Sequence, residues 1–234
     1  MTTENRYMAK PKVTAIPAAK AYSSPAWWYD IRGFFILKLS YRDSLLRLIR
    51  FFAQNISKKH LEVAVGSGRF LQLSLLWRWI MRKPKASGEA FDYAPSMLLG
   101  AQRKFGKSPS WNIELADVGR MSYAKEQFET VNVANAFHCF PDPEQAAREI
   151  FRVLKAEGTL CVNALIHPRG PAWLKGVSER VNTWGIKKGI LVSSFDLDHV
   201  KEIFVSAGFK LLEEKIHGNN LYLKLVKPGK KAIQ

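Results

Sequence analysis

The sequence predicts an α/β fold built on a doubly wound, seven-stranded sheet, mostly parallel, with one antiparallel strand near the C-terminus. From His60 onward short apolar runs alternate with stretches of helical spacing, the rhythm of strand–helix–strand units. The chain closes on two consecutive strands, Phe209 to Ile216 and Leu221 to Val226, whose short turn His217-Gly218-Asn219-Asn220 makes one strand antiparallel. With 234 residues, 47% hydrophobic and 24% charged, there is apolar material for one large core, and disorder throughout is excluded.

Each element follows from spacing. Leu45, Leu48, Ile49 and Phe52 recur at three and four within Tyr41 to Ala53 and predict a helix, with Arg42, Arg47 and Arg50 elsewhere on its surface. Strands are predicted over 61–65, 89–92, 112–116, 130–134 and 159–165, and helices over 69–82, 96–104, 142–157 and 196–207. Asp142-Pro-Glu-Gln145 supplies an N-cap, a proline at the first helical position and a glutamine three residues past the cap, and Gly158 is expected to close that helix. In 196–207, Leu197, Val200, Phe204 and Ala207 share one face, and Gly208 stops the helix.

Charge is uneven. Lys and Arg exceed Asp and Glu by 36 to 20, a net +16. Residues 1–60 hold 11 basic and 3 acidic side chains, residues 61–160 hold 13 and 11, and residues 161–234 hold 12 and 6. A nearly neutral centre between cationic flanks points to anionic company: nucleic acid, a membrane surface or an anionic small-molecule acceptor. No apolar run approaches the roughly 20 residues that cross a bilayer. Only two cysteines, Cys139 and Cys161, occur, which leaves no disulfide framework or cysteine metal cage and favours a cytoplasmic setting. No metal site is expected. The expected divisions are a flexible arm over 1–24 and a domain over 25–234. The domain comprises a helical lid (25–59), a cofactor-binding core (60–166), a substrate-side insert (167–195) and a last helix with two strands (196–234).

His60-Leu-Glu-Val-Ala-Val-Gly-Ser-Gly-Arg-Phe70 is a strand running into a Gly-x-Gly turn and a helix, the arrangement that brings backbone close to a ligand. A dinucleotide fingerprint would need a third glycine where Leu71 stands. The segment instead resembles the first motif of the class I S-adenosylmethionine-dependent methyltransferases, an acid at the strand end followed by Gly-x-Gly-x-Gly. Glu62 matches the acid, and Ala64, Gly66 and Gly68 occupy the glycine positions. Phe91-Asp-Tyr-Ala-Pro-Ser-Met-Leu98 resembles the second-strand acid with its helix start, and Glu114-Leu-Ala-Asp-Val118 the segment that meets adenine. Phe128 to Glu144 and Arg148 to Leu160 resemble the fourth strand and the following helix, with Ala156 and Glu157 in place of Pro-Gly.

The resemblance spans about His60 to Leu165 and implies a Rossmann-like fold and S-adenosylmethionine as cofactor. It implies that Asp92 holds the ribose hydroxyls, that Glu62 answers the cofactor ammonium, and that Asp117 and Val118 meet the adenine. Ala64, Gly66, Gly68, Tyr93, Met97 and Asn135 complete the cofactor site. An alanine at 64 is expected to weaken binding if that position needs positive φ. His138, His167 and Tyr29 are the candidates for a base, a role required only if the acceptor must lose a proton. Trp27, Trp28, Tyr29, Phe34 and Phe35, with Trp173 and Trp184 of the insert, are candidates for an aromatic lid over the acceptor. The reaction implied is in-line methyl transfer to a small-molecule oxygen, nitrogen or carbon nucleophile. The alternatives are an RNA or lipid-quinone methyltransferase using the basic flanks, or a catalytically silent cofactor-binding module, the latter motivated by Ala64.

Overall fold

A computed structural model of the chain describes residues 31, 33–187, 191 and 194–229. The expected arm, together with Trp27, Trp28 and Tyr29, lies outside them. Seven strands form one sheet in the order β3-β2-β1-β4-β5-β7-β6: β1 His60–Val63, β2 Gly88–Asp92, β3 Trp111–Leu115, β4 Phe128–Val133, β5 Leu154–Leu165, β6 Lys210–His217 and β7 Asn220–Val226. Neighbours run parallel except at β7, which is antiparallel to both β5 and β6, as the closing hairpin predicted.

The α-helices over the described residues from 45 onward are α1 Leu45–Ala53, α2 Arg69–Ile80, α3 Pro95–Phe105, α4 Pro143–Val153, α5 Ala172–Lys187 and α6 Leu197–Ser206. Side-chain alternation along β5 divides the core. Leu160, Val162 and Ala164 join the cluster beneath α4 and α6, whereas Cys161 and Leu165 pack with Leu48 and Phe52 of α1. The order reverses between β1 and β4, so a crevice opens at the carboxyl ends of these two strands, where ligands of open α/β sheets bind.

Two expectations change. Residues 41–53 are not one helix: a π-helical turn over Leu37–Tyr41 ends at Arg42, whose φ of 55° is left-handed, and α1 restarts at Leu45. Asp43 explains the break, since its Oδ1 accepts from the Ser44 N–H at 2.6 Å and from Arg47 at 2.6 Å. Residues 45–53 dock on the sheet, with Leu48 and Phe52 fully buried. Finally, α4 ends at Val153 rather than at Gly158. Lys227 Nζ donates to the carbonyls of Phe151 and Leu154 at 2.9 and 2.7 Å, and the chain is already extended at Leu154. The N-cap holds: Asp142 Oδ1 accepts from the Gln145 N–H at 2.8 Å.

Candidate active site

The glycine loop joins β1 to α2 at the mouth of the crevice. Three of its residues adopt left-handed backbone: Ala64 (φ 54°), Gly66 (φ 58°) and Gly68 (φ 76°). Gly68 is required twice over, by its φ and because a Cβ there would stand 3.1 Å from the backbone of Ala101 on α3. At Gly66 a Cβ would meet nothing within 4 Å, so open space lies beside the loop. Ala64 holds the same turn at a cost of about 1 kcal/mol, the usual penalty of a Cβ in this region. Ala64→Gly should therefore raise unfolding stability by about 0.5–1 kcal/mol, read as a higher denaturant midpoint.

Asp92, at the carboxyl end of β2, fastens this loop. Its Oδ2 accepts from the Gly66 N–H at 2.7 Å and its Oδ1 from the Ala94 N–H at 2.8 Å. Burial pushes its pKa up, and the N–H groups of Ala94, Gly66 and Tyr93 pull it back. A carboxylate oxygen has two lone pairs, so each retains one acceptor position for a diol. Tyr93, the next residue, is exposed, whereas Met97 is buried on α3.

Glu62 is buried on β1 with its Oε2 3.1 Å from His60 Nε2, and His60 Nδ1 lies 2.8 Å from Thr130 Oγ1. His60 thus partners one oxygen of this carboxylate. Beyond β3, Asp117 is exposed and its Oδ1 accepts from the Gly119 N–H at 2.8 Å, closing a tight turn, while Val118 packs half-buried on the core.

Asn135 follows β4 with φ 53°. Its strained backbone is held by Asn163 of β5: the Asn135 N–H donates to Asn163 Oδ1 at 2.7 Å, and Asn163 Nδ2 donates to Asn135 Oδ1 and Asn220 Oδ1, both at 2.8 Å. The chain of bonds continues from Asn220 Nδ2 to Asp43 at 2.9 Å, and Tyr222 donates its hydroxyl to the same carboxylate. Asn163 and Asn220 are fully buried. Spacing did not single out this network, although asparagines within apolar strands were the available signal.

The base candidates separate. His138 is buried in the short turn Phe137–Cys139, with Nε2 2.7 Å from the Tyr41 hydroxyl, and burial pushes its pKa down to about 3. It is neutral at pH 7 and too weakly basic for proton transfer there. Since the unfolded histidine binds a proton below about 6.5 and the folded one does not, stability should fall by about 2 kcal/mol between pH 7 and 5. Thermal unfolding of His138→Gln should show a flatter dependence over that window.

His167, by contrast, is exposed just past β5, with Nδ1 3.0 Å from Ser194 Oγ and Nε2 3.6 Å from Asp196 Oδ1. Tyr29 lies outside the described residues. The aromatic lid is not assembled among the described residues: Phe34, Phe35, Trp173 and Trp184 are all solvent-exposed. Instead, α5 docks on an N-terminal strap, the turn Leu37–Tyr41, where Ser178 Oγ donates to Leu39 O at 3.0 Å and Ser40 bonds Asn182. Among the described residues no helix is long and apolar enough to cross a membrane.

Comparison with known proteins agrees with this geometry. Residues 61–162 match the family model described as a methyltransferase domain. A demethylmenaquinone methyltransferase from Thermus thermophilus is 31% identical over 139 residues, covering 58% of this chain and 59% of that protein. An uncharacterized chloroplastic methyltransferase from Arabidopsis thaliana, At2g41040, is 25% identical over 179 residues, covering 71% of this chain and 46% of that protein. The chain thus spans about half the length of these curated relatives. Among solved structures, a chain of a Haloferax volcanii complex containing the Trm112 methyltransferase activator superposes with a TM-score of 0.64 at 18% identity, covering 87% of this chain and 97% of that one. A Haemonchus contortus phosphoethanolamine N-methyltransferase solved with S-adenosyl-L-methionine superposes at 0.61 and 12% identity, covering 78% and 52%. A glycine loop fastened by the acid of β2, a seven-stranded sheet of this order and the family match together make residues 61–162 a methyltransferase domain of the S-adenosylmethionine-dependent type.

Proposed function

We propose that the chain transfers a methyl group from S-adenosylmethionine to a small-molecule oxygen, nitrogen or carbon nucleophile. The observation that carries this reading is the bond from Gly66 to Asp92, which presents open space beside a preformed loop with a carboxylate at its edge. Asp92 would hold the ribose hydroxyls through its remaining lone pairs, Tyr93 would cover the nucleoside, and Asp117 and Val118 would meet the adenine. Gly66 and Gly68 would let the backbone lie against the cofactor, and Asn135 would position its amino-acid end. When bound, S-adenosylmethionine supplies a methyl group already activated on a sulfonium.

The protein therefore has to align the acceptor and exclude water, a contribution that reaches roughly 7–11 kcal/mol in well-oriented reactions. The strap, α5 and the β6–β7 turn would form the acceptor wall. Asn219 Nδ2 donates to Ser40 O at 2.7 Å and its N–H to Tyr41 O at 2.8 Å, which knits these segments together at the carboxyl end of β5. Where the acceptor must lose a proton, a ring nitrogen of His167 takes it and Asp196 stabilises the resulting cation.

A demethylmenaquinone methyltransferase among the relatives favours a lipid-quinone acceptor as the second reading. Titration calorimetry with S-adenosylmethionine and with its demethylated product tests the cofactor assignment. Saturable heat with both is expected, and no heat with either overturns the proposal, leaving a silent module.

A further inference from the structure

Helix α2 turns apolar residues outward as well as inward, where Phe70, Leu71 and Leu75 pack. Its inward face buries Ser74 and Arg78 beside Leu71, and the Arg78 guanidinium donates to Ala53 O at 2.8 Å and Pro84 O at 3.0 Å. Leu76, Trp79 and Ile80, spaced as one stripe, face outward and are 49%, 75% and 55% exposed; Met81 at the helix end is 51% exposed. Soluble helices place such residues inward, and a cluster of large exposed apolar side chains marks an interaction surface.

The surrounding charge has one sign. From Ser44 to Gly88 the sequence holds nine cations, and its only carboxylate, Glu62, is buried against His60. Arg82, Lys83 and Lys85 follow the apolar tip directly and are exposed. Arg82 also takes left-handed backbone, φ 53°, at the helix end where glycine is the usual residue, while the Lys83 N–H closes the turn on Arg78 O at 2.9 Å. A cation is therefore held at this tip in a conformation that disfavours it. Beside it, Arg50 of α1 lies over the Trp77 ring at 4.9 Å.

We infer that the exposed face of α2, from Leu76 through Lys85, docks the protein on an anionic phospholipid surface. Trp79, Ile80 and Met81 enter the interface between headgroup and acyl chain, and Arg82, Lys83 and Lys85 meet lipid phosphates. Nucleic acid would satisfy the cations but offers aliphatic Ile80, Met81 and Leu76 nothing to bury against. A second copy meeting this face two-fold would bring cations against cations. Because α2 starts at the glycine loop and runs back toward the amino ends of the strands, docking leaves the crevice open, and the inference stands apart from the methyl-transfer reading.

The test is co-sedimentation of the full chain with vesicles of phosphatidylcholine alone or mixed with phosphatidylglycerol. Binding is expected with the mixture at low salt, weakening as salt rises, with little on phosphatidylcholine alone. Replacing Arg82, Lys83 and Lys85 together by serine should lower binding about a hundredfold at low salt. Trp79→Ser combined with Ile80→Ser and Met81→Ser should abolish it. Both variants should keep the unaltered chain's heat of S-adenosylmethionine binding and its melting temperature, because the replaced side chains are exposed. The inference is overturned by any of three outcomes: no phosphatidylglycerol-dependent sedimentation, variants that bind vesicles like the unaltered chain, or a Trp79-dependent dimer or RNA complex with vesicles inert.

Discussion

Asp92→Ala should raise the dissociation constant for S-adenosylmethionine about a hundredfold or more. Two losses combine. The ribose hydroxyls lose an ionised acceptor, worth about 1.5–3 kcal/mol per bond, and the Gly66 and Ala94 N–H groups lose the oxygens that hold the loop in shape. Asp92→Asn separates them. It keeps one acceptor oxygen but places an N–H donor opposite a backbone N–H, so the loop is disturbed on one side and affinity should fall less than in the alanine variant. Calorimetry on both variants reads the difference, and an unchanged affinity in Asp92→Ala would show that the ribose lies elsewhere.

Asn163→Leu should lower stability by about 3 kcal/mol, through polar orphans rather than a cavity. The substitution strips partners from the Asn135 N–H, from Asn135 Oδ1 and from Asn220 Oδ1, groups at or beside a buried strand. For a chain of this size a loss of that magnitude lowers the thermal midpoint by about 6–12 °C. Cofactor affinity should fall as well, because Asn135 then lacks the bonds that hold its left-handed backbone at the crevice. A midpoint within about 2 °C of the unaltered chain would show that water replaces these bonds without loss.

The sheet was legible because period and punctuation agree along most of the core. Leu61, Val63, Val131 and Val133 are fully buried apolar positions of two short strands, and Asp142-Pro143 announces α4. The errors fall where tertiary contacts override local spacing. Tyr41 to Ala53 reads as one helix by spacing, yet Asp43, bonded to Asn220 and Tyr222 of β7, sits at its break. Gly158 is a sound helix stop locally, yet Lys227, some seventy residues later in sequence, satisfies the carbonyls that end α4 earlier. Within the candidate site, the loop and Asp92 were visible because their residue types carry the chemistry. The protein partner of Glu62 was not visible, since His60 two residues away serves as its partner only once both side chains turn to one face of β1. His138 and His167 look alike in sequence, and burial alone separates them.

The turn between β6 and β7 sits so tightly on the strap that a Cβ at Gly218 would stand 2.4 Å from the Tyr41 carbonyl oxygen. The last two strands and the turn Leu37–Tyr41 therefore brace one another at one edge of the sheet. Cutting the protein down to residues 61–162, the stretch that matches the family model, would strip away both braces and leave the β5 backbone edge and the apolar side chains beneath α1 open to water. Such a fragment should aggregate instead of folding, so the working unit is larger than the part that the family model matches.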